Sequence, residues 1–328
     1  MMRRIVRGLA TGLVAALLLA LAPAGAKAAW PERPVRIIVP FAAGGNTDVI
    51  ARLVGEHLSK AFGQQFVIDN RPGAGGVPAA EAVARAEPDG YTLMIAATPQ
   101  LVIAPALQKV GFDSTKDFTP IKNVGTNPFV MVVHQSVPAK TLSELIAYGR
   151  ANKGKLSYAS AGPGSISHLA SAMLFARAGI GATHVPYRGN APALNDVMAG
   201  HVDLIFANLS EALAHTGNPN VRLLAVTSKA RLGQLPTVPT VAESGFPDFE
   251  AITWNGLIGP KGLPPEIVRQ IESSLAEHLA TPAVGERLRK LGVEPDLGTS
   301  ADYAERIQRE LPIWAEAVKA AGLNRNPD

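Results

Sequence analysis

The chain has 328 residues, 47% of them hydrophobic, with 31 lysines and arginines, 27 aspartates and glutamates, and no cysteine. The lack of cysteine excludes disulfides, thiolate metal sites, a cysteine nucleophile and a lipidated cysteine at a processing site. Arg3, Arg4, Arg7 and Lys27 precede residue 29 and no acid does, so the rest balances at 27 charges of each sign, which argues against a nucleic-acid surface.

Residues 1–28 read as a signal peptide. Three arginines lead into the apolar run Gly8 to Ala22, which is too short to span a bilayer comfortably. Ala26-Lys27-Ala28 fits a small-x-small cleavage site, and Pro23 and Gly25 break the run, against a permanent anchor. The remainder, long enough for two compact domains, is expected to be exported, which in a bacterium means the periplasm.

Val35 to Val39 is a short, β-branched apolar run that predicts a buried strand. Gly44 and Gly45 follow, then Asn46 and Thr47, either of which can cap a helix. Val49, Ile50, Leu53, Val54, Leu58 and Phe62 recur at helical spacing, and Gly63 stops the helix. Such a helix start leaves free N–H groups that favour an anion by about 0.3–2 kcal/mol per charge.

Phe66 to Asp69 predicts a second strand, running into the glycine turn Asn70 to Gly76 and a helical stretch, Pro78 to Ala86. Tyr91 to Ala97 is a third strand, and Thr98-Pro99 opens another helical piece. Strands alternating with helices imply a mainly parallel sheet. Pro120 to Val133 reads as extended chain interrupted at Gly125-Thr126-Asn127-Pro128.

The αβ rhythm then restarts. Thr141-Leu142-Ser143-Glu144 is a capping box for a helix to Ala151. Ser157 to Ser160 is a strand, Ala161 to Ser165 a third glycine turn, and Ser165 to Ala178 a helix. Strands are expected to end at Tyr187 and to span Val202 to Ala207 and Leu223 to Thr227, with a helix over Ala191 to Ala199. The apolar stretch Ile252 to Ile258 leads to two amphipathic helices, Glu266 to Leu279 and Ala301 to Ala321. Two such units suggest two lobes across a cleft, with the chain crossing near Asn127, returning near Ala251, and the terminal helices packing on the first lobe.

Several enzyme signatures fail. Gly73-Ala74-Gly75-Gly76-Val77-Pro78 has proline where a dinucleotide fingerprint needs its third glycine. Gly149 to Lys155 matches a P-loop as far as the lysine, but Leu156 replaces the magnesium-binding hydroxyl and the stretch follows a helix. Ser165 and Ser167 beside His168 lack the G-x-S-x-G elbow. The seven histidines have no metal-ligand spacing.

Gly164-Ser165-Ile166-Ser167-His168-Leu169-Ala170, with Pro40 to Gly45, Thr47-Asp48, Asn70 to Gly76 and Pro88 to Leu93, resembles the Bug family. These are the extracytoplasmic receptors of tripartite tricarboxylate transporters. His184 to Gly189, Val202 to Phe206 and Val238 to Gly245 fit the same pattern, so the resemblance spans nearly the whole chain after residue 28. It implies an α/β, two-lobed periplasmic-binding-protein fold of type II with a central ligand cleft. Lobe 1 would be 29–127 plus 252–328, and lobe 2 would be 128–251. It implies a monomeric receptor that binds a small carboxylate and delivers it to integral membrane transporter subunits, with no nucleic-acid partner, cofactor, metal or catalytic residue.

The resemblance also implies a ligand held by turn amides, hydroxyls and waters. The residues concerned are Phe41, Ala42, Gly44, Gly45, Thr47 and Thr98 on one lobe, and Ser160, Gly164, Ser165, Ser167, Tyr187, Ala207 and Asn208 on the other. His168 and Asp203 are read as structural. Ala207 departs from the family, since many relatives carry an acid there, and its absence argues against an amine-recognising site. The alternatives are a periplasmic hydrolase or lyase with a His168–serine pair, which would turn its substrate over, and a sensor input protein with a different downstream partner.

Overall fold

The computed structural model describes residues 30–41, 43, 44 and 46–323. The expected signal peptide lies outside them, as do Ala42 and Gly45.

Strand β1, Val35–Val39, is buried on both faces: Val35, Ile37 and Val39 enter one apolar cluster and Ile38 another. Helix α1, Asn46–Phe62, buries Ile50, Leu53, Val54 and Leu58, the stripe its period predicts. It begins at Asn46, so Asn46 and Thr47 lie in its first turn and do not cap it from outside. A Cβ on Gly55 would stand 3.1 Å from Ile68 Cδ1 and 3.2 Å from the Phe66 carbonyl, so glycine sets how closely α1 lies on the sheet.

Strand β2, Phe66–Asn70, runs parallel to β1. A tight turn at Ala74–Gly76 opens α2, Val77–Ala84. Strand β3, Thr92–Ala97, pairs parallel with the other edge of β1. A wide helical coil, Pro99–Ile103, then leads into α3, Ala104–Leu107.

Strand β4, Phe118–His134, is continuous through the stretch where the sequence suggests an interruption. Register shifts between Pro120 and Lys122 and between Asn123 and Gly125 absorb the irregular residues as bulges. Pro128, which has no N–H to offer, pairs with Ile252 where the strand changes neighbours. Up to that point β4 lies between β9, Ile252–Pro260, and the two-residue β10, Glu294–Pro295. From Phe129 onward it lies between β7, Leu204–Asn208, and β8, Val221–Val226.

The second half repeats the plan. Helix α4, Leu142–Ala151, is capped by Thr141, whose hydroxyl accepts from Glu144 N. Strand β5, Leu156–Ser160, leads to α5, Ile166–Ala178, and β6, Ala182–Pro186, runs parallel to β5. Helix α6, Asn190–Met198, precedes β7, and α7, Leu209–Leu213, follows it. The strand order is β2-β1-β3-β9-β4-β7-β5-β6.

Strand directions orient the two halves. Strand β9 is antiparallel to both β3 and β4, so β4 runs in the sense of β1, β2 and β3. Strand β7 is antiparallel to β4 and parallel to β5. The carboxyl ends of β1, β2 and β3 therefore face those of β5, β6 and β7 across the β4 crossing. Open α/β sheets bind ligands at such ends.

The crossing is fastened at Thr227. Phe129 N donates to Thr227 Oγ1 at 2.9 Å, Thr227 N donates to the Phe129 carbonyl at 2.9 Å, and Ala251 N donates to the Thr227 carbonyl at 3.2 Å.

Helix α8, Pro265–Leu279, buries Ile267, Ile271 and Leu275 in the cluster that holds α1, and α9, Pro282–Lys290, follows it. Helix α10, Ser300–Ala320, packs on α3 of the first half and extends beyond that half. It lies on α5 of the second half as well as on β4 and the Pro99–Ile103 coil. Its Glu310, 5% exposed, accepts from Trp254 Nε1 at 2.8 Å and from Arg306 at 3.2 Å, which ties it to the return strand β9.

Candidate functional site

Two helix starts face each other across the crossing. The turn after β1 is built around Asp48, 2% exposed. Its Oδ2 accepts from Gly44 N and from Arg52 Nε, both at 2.9 Å. Its Oδ1 accepts from Asn70 Nδ2 at 3.0 Å, and the same amide donates to the Phe41 carbonyl at 3.1 Å. The carboxylate thus ties the turn to the end of β2. The Arg52 hydrogen bond, outweighing burial and helped by Gly44 and Asn70, lowers the Asp48 pKa to about 2. Gly44 has φ +86°, a left-handed conformation that suits glycine, and faces open space.

Thr47 is buried in the same turn. Thr98 is fully buried at the end of β3, and its hydroxyl oxygen accepts from Trp254 N at 3.0 Å. It therefore braces the return strand.

The turn after β5 is held by neutral groups. Ser165 Oγ donates to the Gly162 carbonyl at 2.6 Å and accepts from His168 N at 3.3 Å. Ser167 Oγ accepts from Ala161 N at 3.0 Å, and Gly164 N donates to His168 Nδ1 at 3.2 Å. These bonds fold the turn over the start of α5. The amides of Ile166 and Ser167, the first two of the helix, have no intrahelical partner by geometry.

His168 stacks on His184 with ring centroids 3.7 Å apart and planes 7° from parallel. Burial, with the neighbouring His184, lowers its pKa to about 4, and burial lowers that of His184 as well. The His168 Nδ1 acceptor role places its proton on Nε2. A Ser–His contact exists between Ser160 Oγ and His184 Nε2 at 2.6 Å, with Ser160 fully buried. The pair expected for the hydrolase reading, His168 with a serine, is a turn-bracing arrangement.

Tyr187 donates its hydroxyl to Asp196 Oδ2 at 2.5 Å. Burial and Asp196 raise its pKa to about 12. Its polar end is therefore engaged with α6.

Ala207 is fully buried. Along β7, Leu204 and Phe206 enter one cluster, while Ile205 and Ala207 enter the other with Val130, Leu194 and Ala212. The two-residue strand period fixes that orientation. Ala207 points into the lobe core, so the lack of an acid at this position does not bear on amine recognition.

Asn208 caps α7 in a reciprocal box with Glu211, whose Oε2 accepts from Asn208 N and Nδ2, both at 3.3 Å. Burial raises the Glu211 pKa despite those bonds. Glu211 is the polar group that sequence reasoning missed. The Asn208-x-x-Glu211 capping pattern was its available signal.

What converges is two helix starts, from opposite halves, wrapped in hydroxyls and amides. No group of three or more metal-ligating side chains occurs among the described residues. The arrangement can bind an anion.

A family profile described as "Tripartite tricarboxylate transporter family receptor" matches residues 50–323. The protein BugT of Bordetella pertussis is 34% identical over 295 residues, covering 89% of this chain and 90% of BugT. Among solved structures, R. palustris Rpa4515 with adipate superposes with a TM-score of 0.74 at 36% identity, covering 89% of this chain and 98% of that one. MatC (Rpa3494) from Rhodopseudomonas palustris, with bound malate, gives a TM-score of 0.71 at 33% identity, covering 88% of this chain and all of the other.

Proposed function

We propose a function from one premise: the chain belongs to the tripartite tricarboxylate transporter receptor family. It is a non-catalytic periplasmic solute receptor. It binds one small carboxylate between two lobes, residues 29–127 plus 252–328 and residues 128–251, and delivers it as a monomer to membrane transporter subunits. The ligand carboxylate rests on the amides at the starts of α1 and α5, with the hydroxyl of half-buried Ser165 beside it. The observation that carries the reading is the opposition of these two helix starts at facing strand ends, each an anion-favouring terminus. The adipate and malate bound by the two structural relatives support the ligand class. The His168–His184 stack, with His168 buried and neutral, supports binding without turnover.

The two-lobed fold supports closure around the ligand. Two lobes joined at the β4 crossing and the β9 return approach when a ligand contacts both helix starts, and the ligand stabilises whichever state it touches on both sides. A melting panel of mono- and dicarboxylates, neutral sugars and amines tests the reading. At about 100 times its dissociation constant a bound carboxylate adds ~2.7 kcal/mol and raises Tm. Shifts confined to sugars or amines would refute it.

A further inference from the structure

A cavity of about 360 Å³ opens between the two halves beside the start of α5. Its first-half wall is Ala74, Gly75 and the apolar face of the Pro99–Leu107 segment, above all Ile103, Ala104 and Leu107. Its second-half wall is Pro163, Gly164 and Ser165. Leu107 reaches across: its Cδ1 lies 3.1 Å from where a Cβ on Gly164 would stand. No charged side chain lines the cavity, and its polar side chains are Gln108 and Ser165.

We propose that this cavity holds the uncharged body of the ligand, so that the receptor's class of ligand is a monocarboxylate with an aliphatic or aromatic body. The inference rests on the carboxylate reading above and extends it. The head group sits at the start of α5, where Ser165 is both the helix cap and part of the cavity wall. A single anionic head matches the helix start. A second carboxylate placed among Ile103, Ala104 and Leu107 would lose its water without a cationic partner in the lining, which is costly. An apolar body gains from the same walls, at a rate that corresponds to about fourfold in affinity for each buried methylene.

Calorimetry on the purified mature protein tests this with butanoate, hexanoate, octanoate and benzoate beside succinate, malate and adipate. The expected result is affinity that climbs about fourfold per methylene from butanoate to hexanoate, with hexanoate or benzoate at least tenfold tighter than succinate or malate. Leu107→Asn, at a half-buried position, and Ala104→Leu, which fills the cavity, are each expected to weaken hexanoate about tenfold and butanoate less than threefold. Melting curves without ligand confirm that each variant folds, and either variant suffices for the comparison. Dicarboxylates binding tighter than every monocarboxylate, or no rise with chain length, would overturn the proposal and leave the carboxylate reading standing. Binding by none of the seven acids would remove that reading and the proposal with it.

Discussion

The turn after β1 and the turn after β5 do the same job by different chemistry. Each follows the central strand of its half, opens a helix and faces the other across the crossing. The first is tethered by an ionised carboxylate, Asp48, with Arg52 as its counter-charge. The second is tethered by hydroxyls and a neutral imidazole, Ser165, Ser167 and His168. The first helix start therefore already holds a negative charge in its first turn, whereas the second holds none. An anion that bridges the two starts finds the stronger uncompensated field at α5 and the weaker one at α1, where Asp48 already offsets part of it.

The largest effect should come from removing the charged tether. Asp48→Ala leaves the Gly44 amide, Asn70 and Arg52 without their shared acceptor, at about 2–3 kcal/mol for bonds to a charged group. Chemical denaturation should show that loss, with carboxylate affinity falling as the turn loosens. A variant as stable as the parent would mean that the tether is not what holds the first turn.

Acid separates the two turns next. The His168 pKa is lowered from 6.5 to about 4 on folding, so the unfolded chain binds the extra proton. Its contribution is complete above about pH 6.5 and is lost as the pH falls towards 4, roughly 2–3 kcal/mol in all. The Asp48 pKa is lowered from 3.8 to about 2, so its contribution is complete above about pH 4 and is lost only towards pH 2. The second turn should therefore weaken first. His168→Gln should reduce the slope of the stability profile between pH 6.5 and 4, leaving the part due to His184, and should leave the loss below pH 4 in place. An unchanged slope between pH 6.5 and 4 would contradict the buried neutral imidazole.

The smallest effect sharpens the contrast. Ser165→Ala removes the α5 cap, worth about 1 kcal/mol, together with a hydroxyl at the proposed head-group site. Carboxylate affinity should fall by more than the stability loss alone explains, whereas Thr141→Ala, the corresponding cap of α4, should cost similar stability and leave affinity unchanged. Equal affinity losses in both would show that the α5 cap has no role in binding.

The βα rhythm was legible because it rests on local patterns, namely β-branched runs, glycine turns and helical periods. Partners of single polar atoms were not, because they lie far apart in the chain. Thr98 meets Trp254 and Asn70 meets Asp48 only through the sheet. The sequence Gly125-Thr126-Asn127-Pro128 looks like a turn, yet the ladders to β9 and β10 hold it extended. Ala207 illustrates the difference most clearly. Its place at a strand end suggested the cleft, and the alternation along β7, readable from Leu204 to Asn208, already assigned it to the core beside Ile205. Glu211 went unread because its helix, five residues long, has too few turns to show a period.

The central claim is that one carboxylate bridges the two helix starts. Hydrogen exchange with and without the tightest binder of the carboxylate panel tests it most directly. The account predicts that protection rises together in the segments 41–48 and 161–168, with one ligand bound per chain and recovered unchanged. Protection confined to one of the two segments, or a ligand recovered in altered form, would contradict it.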